Sequence, residues 1–104
     1  VEIVNENTIK LNTGLIVKFL GIKIHKKEDT IRYLREYILG KNIFLKFHDS
    51  KIINENTVNA CVYLKNKIFV NAYLIKSGLA VPDFSVNHKY KDKFIQLWKE
   101  RQNG

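Results

Sequence analysis

Five short β-type runs, punctuated by Asn- and Gly-containing turns and interrupted once by a helical pattern, constrain this chain more than any other feature. Residues 2–11 alternate as a strand, with Ile3, Thr8, Ile9 and Leu11 as β-formers. Asn12-Thr13-Gly14 is a turn signal, and residues 15–24 form a second, largely apolar run that carries Lys18 and Lys23. Asp29-Thr30 then opens a helix. Ile31, Leu34, Tyr37 and Ile38 recur at helical spacing, and Gly40 ends the pattern. Residues 42–48 are a third strand. Residues 49–56, polar apart from Ile52 and Ile53, are expected to form a mobile loop. Residues 57–64 and 68–70 supply the last two strands around a Lys65-Asn66-Lys67 turn. This order predicts a mainly β fold with helices (α+β). The architecture it suits is a small five-stranded barrel of OB type with three helices.

The second helix is the sharpest local signal. Asn71 stands where a side-chain oxygen can cap the first turn, Leu74 and Ile75 give an apolar face, and Gly78 suits the left-handed position after the helix. Pro82 falls in a connector. Asn87 is a candidate cap for a last helix with Tyr90, Phe94, Leu97 and Trp98 as its apolar stripe.

A length of 104 residues corresponds to one domain spanning residues 1–104. There is no Met, and strand-like sequence begins at Val1, so a domain cut from a longer polypeptide is expected, with a covalent neighbour. No apolar run approaches membrane-spanning length. The single Cys61 cannot form an internal disulfide, which points to a reducing, cytoplasmic compartment; it reads as a small buried hydrophobe. Eighteen Lys and Arg against ten Asp and Glu leave a net charge of +8, which favours a polyanionic partner, nucleic acid first. The alternative is a basic background composition rich in Lys, Asn and Ile.

Several segments, in order, resemble the staphylococcal nuclease family. Residues 1–11 are similar to its opening strand, usually Val-x-x-Val-x-Asp-Gly-Asp-Thr-x-x-Leu. Leu20-Gly21-Ile22 resembles the Leu-x-Gly-Ile that precedes an Asp-Thr-Pro-Glu motif. Gly40-Lys41-Asn42-Ile43-Phe44-Leu45 resembles Gly-Lys-x-Val-x-Leu, and Ala60-Cys61-Val62-Tyr63 resembles Ala-Tyr-Val-Tyr. The run from Val70 to Ala80 looks like the helix that follows the family's barrel strands. The resemblance implies an OB-type barrel and, in active members, hydrolysis with calcium, a glutamate base and two arginines.

The same alignment implies that this hydrolytic site is dismantled. Asn7 stands at the first calcium Asp, Lys23 at the second, and Lys26 at the glutamate. Lys18 replaces one arginine, and the other falls near Thr57. Cations in place of carboxylates repel a dication. The implied domain is therefore not an enzyme and takes no cofactor or metal. Instead Lys18, Lys23 and Lys26 would gather phosphate charge, and Phe84 would stack near a base. Single-stranded DNA or RNA is the expected partner, with the domain accessory to a protein that acts on, or modifies, nucleic acid. The alternatives are a module that binds an acidic or modified peptide, and a divergent active nuclease. Solvated lysines are the plain alternative for the cationic cluster. Tyr63 and Phe44 are further rings, read first as core. His25, His48 and His88 lack metal-ligand spacing. Asp49, Glu55 and Asp83 lie in loops without the spacing of a rebuilt acid site. Lys89, Lys91, Lys93, Lys99 and Arg101 make the last helix basic, for binding or for solubility.

Overall fold

The computed structural model describes residues 1–103, without the side chains of residues 48–51 and 103. It is an α+β fold with three helices. A five-stranded sheet runs in the order β1 (Glu2–Asn5), β2 (Thr8–Lys10), β3 (Ile16–Phe19), β6 (Thr57–Leu64), β5 (Ile43–Asn54). A second, two-stranded sheet joins β4 (Ile22–Ile24) to β7 (Ala80–Pro82). The helices are α1 (Lys27–Tyr37), α2 (Val70–Lys76) and α3 (Lys91–Asn103). All pairings are antiparallel except β3 with β6. Among the described residues no ladder joins β1 to β5. The Gly40 N–H nevertheless donates to Val1 O at 3.0 Å, which brings the start of β1 beside the entry to β5.

Where sequence suggested single runs, the chain turns. The first run breaks at Glu6-Asn7 into the β1–β2 hairpin, with Asn7 N–H donating to Asn5 Oδ1 at 3.0 Å. The second breaks at Gly21, whose φ of 79° lies in the left-handed region and sends β4 away to pair with β7. A side chain at Gly21 would run into the His88 ring. The polar segment expected as a loop instead belongs to a long hairpin. β5 extends to Asn54, and Ile52 and Asn54 pair with Val58 and Thr57. The expected strand at residues 68–70 is one bridge, Phe69 to Tyr63. Pro82 closes β7 rather than lying in a connector.

Ile9, Val17, Leu34, Ile38, Val62, Leu74, Ile75 and Phe94 are fully buried and form one cluster between the large sheet and the helices. Leu34 in α1 and Ile38 just past its end point into it as the spacing requires, while Tyr37 is half exposed. In α3, Phe94 anchors the stripe in the core, and Leu97, Trp98 and, just before the helix, Tyr90 pack against the same cluster. Cys61 is fully buried on β6. Asn87 caps nothing: α3 starts four residues later, and Asn87 Oδ1 accepts from Lys91 Nζ at 3.1 Å.

Asn71 is likewise not a cap. It lies inside α2, completely buried, and its carboxamide stands in for missing strand backbone. The β3–β6 ladder ends at Phe19 and Ala60, and Leu20 N–H makes a last bond to Ala60 O. Beyond it, Val62 N–H donates to Asn71 Oδ1 at 2.9 Å. Asn71 Nδ2 donates to Leu20 O at 2.9 Å and Ala60 O at 3.2 Å. One side chain thus ties α2, β6 and the end of β3 together.

Gly78 does what its position predicts. It follows α2 with φ of 81°, its N–H donates to Ile75 O, and Leu79 N–H donates to Leu74 O, the paired bonds of a Schellman ending. Gly78→Ala forces a left-handed alanine and displaces the Arg101 guanidinium that lies against the site. The expected loss is about 1–2 kcal/mol, roughly 5–10 °C in Tm for a domain of this size, read by thermal melting.

Candidate nucleic-acid cleft

The β1–β2 turn, the β3–β4 break and the segment after β7 enclose a cleft of about 510 Å³. Lys18 enters it from β3, opposite Thr8 on β2 and Asn59 on β6. Lys23 enters from β4, opposite Val81. Lys27, in the first turn of α1, also lines it, as do Asn7 and Asn59. The turn orients Asn7, whose Oδ1 accepts the Thr8 hydroxyl at 2.8 Å. Lys18 is half-buried, whereas Lys23 and Lys27 are exposed.

Three of the residues expected here are elsewhere. Lys26 precedes α1, its N–H donating to Leu79 O and its carbonyl accepting both the N–H and the hydroxyl of Thr30. It does not line the cleft, and Lys27 takes its place: the helix begins right after it, and one residue of rotation decides which side chain faces in. Thr57 is buried at the start of β6 beside Ile16, away from the cleft. Phe84 is 51% exposed, with its ring edge-on to Trp98 at 5.6 Å, so α3 rather than the cleft receives it. Tyr63 is half-buried and stacks on Phe69 at 4.5 Å. Phe44, read as core, is more than half exposed.

Two carboxylates share the cleft with the lysines, and sequence reasoning missed this juxtaposition. Glu6, at the hairpin turn, has a buried Oε2 without a hydrogen-bond partner among the described residues. Asp83 follows β7, and its N–H donates to Gly21 O at 2.9 Å. Burial alone would raise the Asp83 pKa. The Ser85 hydroxyl and N–H, followed by the nearby Lys23 and His88, outweigh it and hold the carboxyl below its ordinary value. Asp83 therefore adds stability above the ordinary carboxylate range that is lost as pH falls through its lowered pKa. The lining is thus mixed, with Lys18, Lys23 and Lys27 against Glu6 and Asp83, rather than uniformly cationic. The signals available were Glu6 beside Asn7 and Asp83 after the only proline. Glu55 is exposed away from the cleft, and the Asp49 and His48 side chains lie outside the described residues.

The basic face expected on α3 is partly committed to local contacts. Lys93 Nζ sits over the Phe69 ring at 5.8 Å, Lys91 reaches Asn87, and Arg101 reaches Lys76 O at 3.4 Å. Among the described residues, no three His, Cys, Asp or Glu side chains converge as a metal site would need, and no helix is long and apolar enough to cross a membrane. No protein-family model and no curated protein matches the chain.

Proposed function

We propose that this is an OB-type domain of staphylococcal-nuclease-like descent that binds the phosphate backbone of single-stranded nucleic acid without cutting it. It serves in the cytoplasm as an accessory module joined to a larger protein that acts on DNA or RNA. The observation that carries the reading is the cleft itself. Lys18, Lys23 and Lys27 face one concavity beside β3, where the chain leaves the large sheet for β4, and ammonium groups there can bind phosphates as point charges. The OB reading is supported by the sheet order with its one parallel pair, β3 beside β6, and by the approach of Val1 to Gly40. The excess positive charge of the chain supports a polyanionic partner.

Titration of a labelled single-stranded oligonucleotide at about 50 and 200 mM salt tests the reading. Tight binding that weakens steeply with salt is expected, with little dependence on sequence. Absence of binding at the lower salt overturns it. Incubation with Ca²⁺, Mg²⁺ or Mn²⁺ is expected to leave the strand intact. Cleavage abolished by Lys18→Glu or Lys23→Glu would instead establish a divergent nuclease.

A protein-interaction role is the second reading, favoured by one observation. β5 is an edge strand of the large sheet with Phe44, Phe47, Ile52 and Ile53 exposed, a surface on which an extended peptide can add as a further strand. Binding of an acidic peptide, with no binding of oligonucleotide, would favour it.

A further inference from the structure

A second concavity is larger than the lysine cleft: a groove of about 830 Å³ between the C-terminal half of α1, the end of β6 and α2. Tyr33 and Tyr37, four residues apart on α1, share one face of that helix, and Tyr73 projects from α2 to meet them. Tyr33 is the common member, with its ring 5.1 Å from Tyr37 and 4.9 Å from Tyr73, the latter stacked at 21°. Tyr37 and Tyr73 are 50% and 40% exposed, so two of the three rings keep open aromatic surface. Lys41 and Lys65 line the same groove.

We propose that this groove holds one nucleotide, its base stacked on the Tyr33, Tyr37 and Tyr73 rings and its phosphate at Lys41 and Lys65. A half-exposed tyrosine cluster carries two different demands: its rings want a flat, polarisable partner, and its lysines want an anion. A nucleoside phosphate meets both in one molecule. Asn42 and Asn66 add amides that can donate and accept at base edges. Asn66 Oδ1 already accepts the Ile68 N–H, which leaves its NH₂ for the ligand. The Tyr33 phenol does not oppose the phosphate. Burial, then the neighbouring Tyr73 and Tyr37, push the Tyr33 hydroxyl up to about 12, so it stays neutral at physiological pH. Glu36, also in the lining, disfavours an anion set directly against it and turns the phosphate toward the two lysines. The site goes beyond the lysine cleft and involves none of its residues.

The test is titration of the whole chain with adenosine 5′-monophosphate, followed by the aromatic NMR signals of the tyrosines, with ribose 5-phosphate as the base-free control. Adenosine monophosphate is expected to shift Tyr33, Tyr37 and Tyr73, and ribose 5-phosphate to leave them unmoved. Tyr37→Ala and Tyr73→Ala alter exposed side chains and preserve the fold. Each is expected to weaken nucleotide binding about 5- to 10-fold. The same variants should weaken a single strand by a similar factor with an unchanged salt slope, and should leave an abasic strand unaffected. Equal responses to the two small phosphates, or wild-type affinity in both variants, overturns the proposal while leaving backbone binding at the lysine cleft intact. Shifts of the three tyrosines by the nucleotide, without binding of any strand, would sustain this site and sink the cleft.

Discussion

Asn71→Leu is expected to lower folding stability by about 3–5 kcal/mol, a large share of the roughly 5–15 kcal/mol that holds a domain together. The leucine fills much of the same volume but satisfies nothing. Ala60 O keeps its bond from Leu20 N–H, whereas Val62 N–H and Leu20 O lose the Asn71 partners that meet them across the end of β3. Each orphaned buried group costs about 1–3 kcal/mol, and α2 loses its attachment to β6 as well. Asn71→Asp is the informative companion. A carboxylate can still accept from Val62 N–H but turns a second acceptor, and a buried charge, toward the carbonyls of Leu20 and Ala60. It should cost at least as much as leucine at neutral pH. The measurement is denaturant unfolding, read as a lower midpoint with an unchanged slope. A loss below about 1 kcal/mol for both variants would mean that the carboxamide is not the tie between α2 and the sheet.

Joint reversal of Lys18 and Lys23 to glutamate is expected to weaken single-strand binding by roughly 30- to 100-fold and to flatten the salt dependence by about 1.4 in the log–log slope. The size follows from where the two side chains lie. Both enter the cleft that already holds Glu6 and Asp83, so reversal leaves Lys27 as the one lysine against four carboxylates. Lys10→Glu with Lys26→Glu, an equal change of charge at two exposed side chains outside the lining, is the internal control and should have a markedly smaller effect. Oligonucleotide titration across a salt series checks both. Equal losses for the control and the double variant would mean that net charge alone, and not the cleft, governs association.

The sequence made the periodic parts of the molecule legible. Alternation around Ile9 and Val17 located the early strands, the spacing of Leu34 and Ile38 located α1, and Gly78 located the end of α2. What escaped it depends on residues far apart in the chain. Nothing near Lys23 announces that β4 leaves the large sheet, because its partner β7 lies almost sixty residues on and is specified only in three dimensions. The same pairing carries Asp83 to the cleft. Asn71 stood at a plausible cap position, and only the end of the β3 ladder reveals that its amide is needed inside the helix. Lys26 and Lys27 differ by one step of a helix start, the boundary that local propensity fixes least. Phe84 was drawn to Trp98, a contact that composition could not foresee.

The open flank formed by β5 has a cost in how molecules of this kind behave in company. Phe44, Phe47, Ile52 and Ile53 leave grease along an unsatisfied hydrogen-bonding rim, the pattern that invites one copy to zip onto the next. A surplus of eight positive charges is the counterweight, since like-charged particles repel before their rims can meet. That repulsion reaches only about 8 Å at physiological ionic strength and shrinks to about 3 Å at 1 M. On the proposed function, the surplus that would draw in a polyanion also opposes self-association, and a nucleic-acid strand that neutralised it would remove that colloidal protection at the same moment.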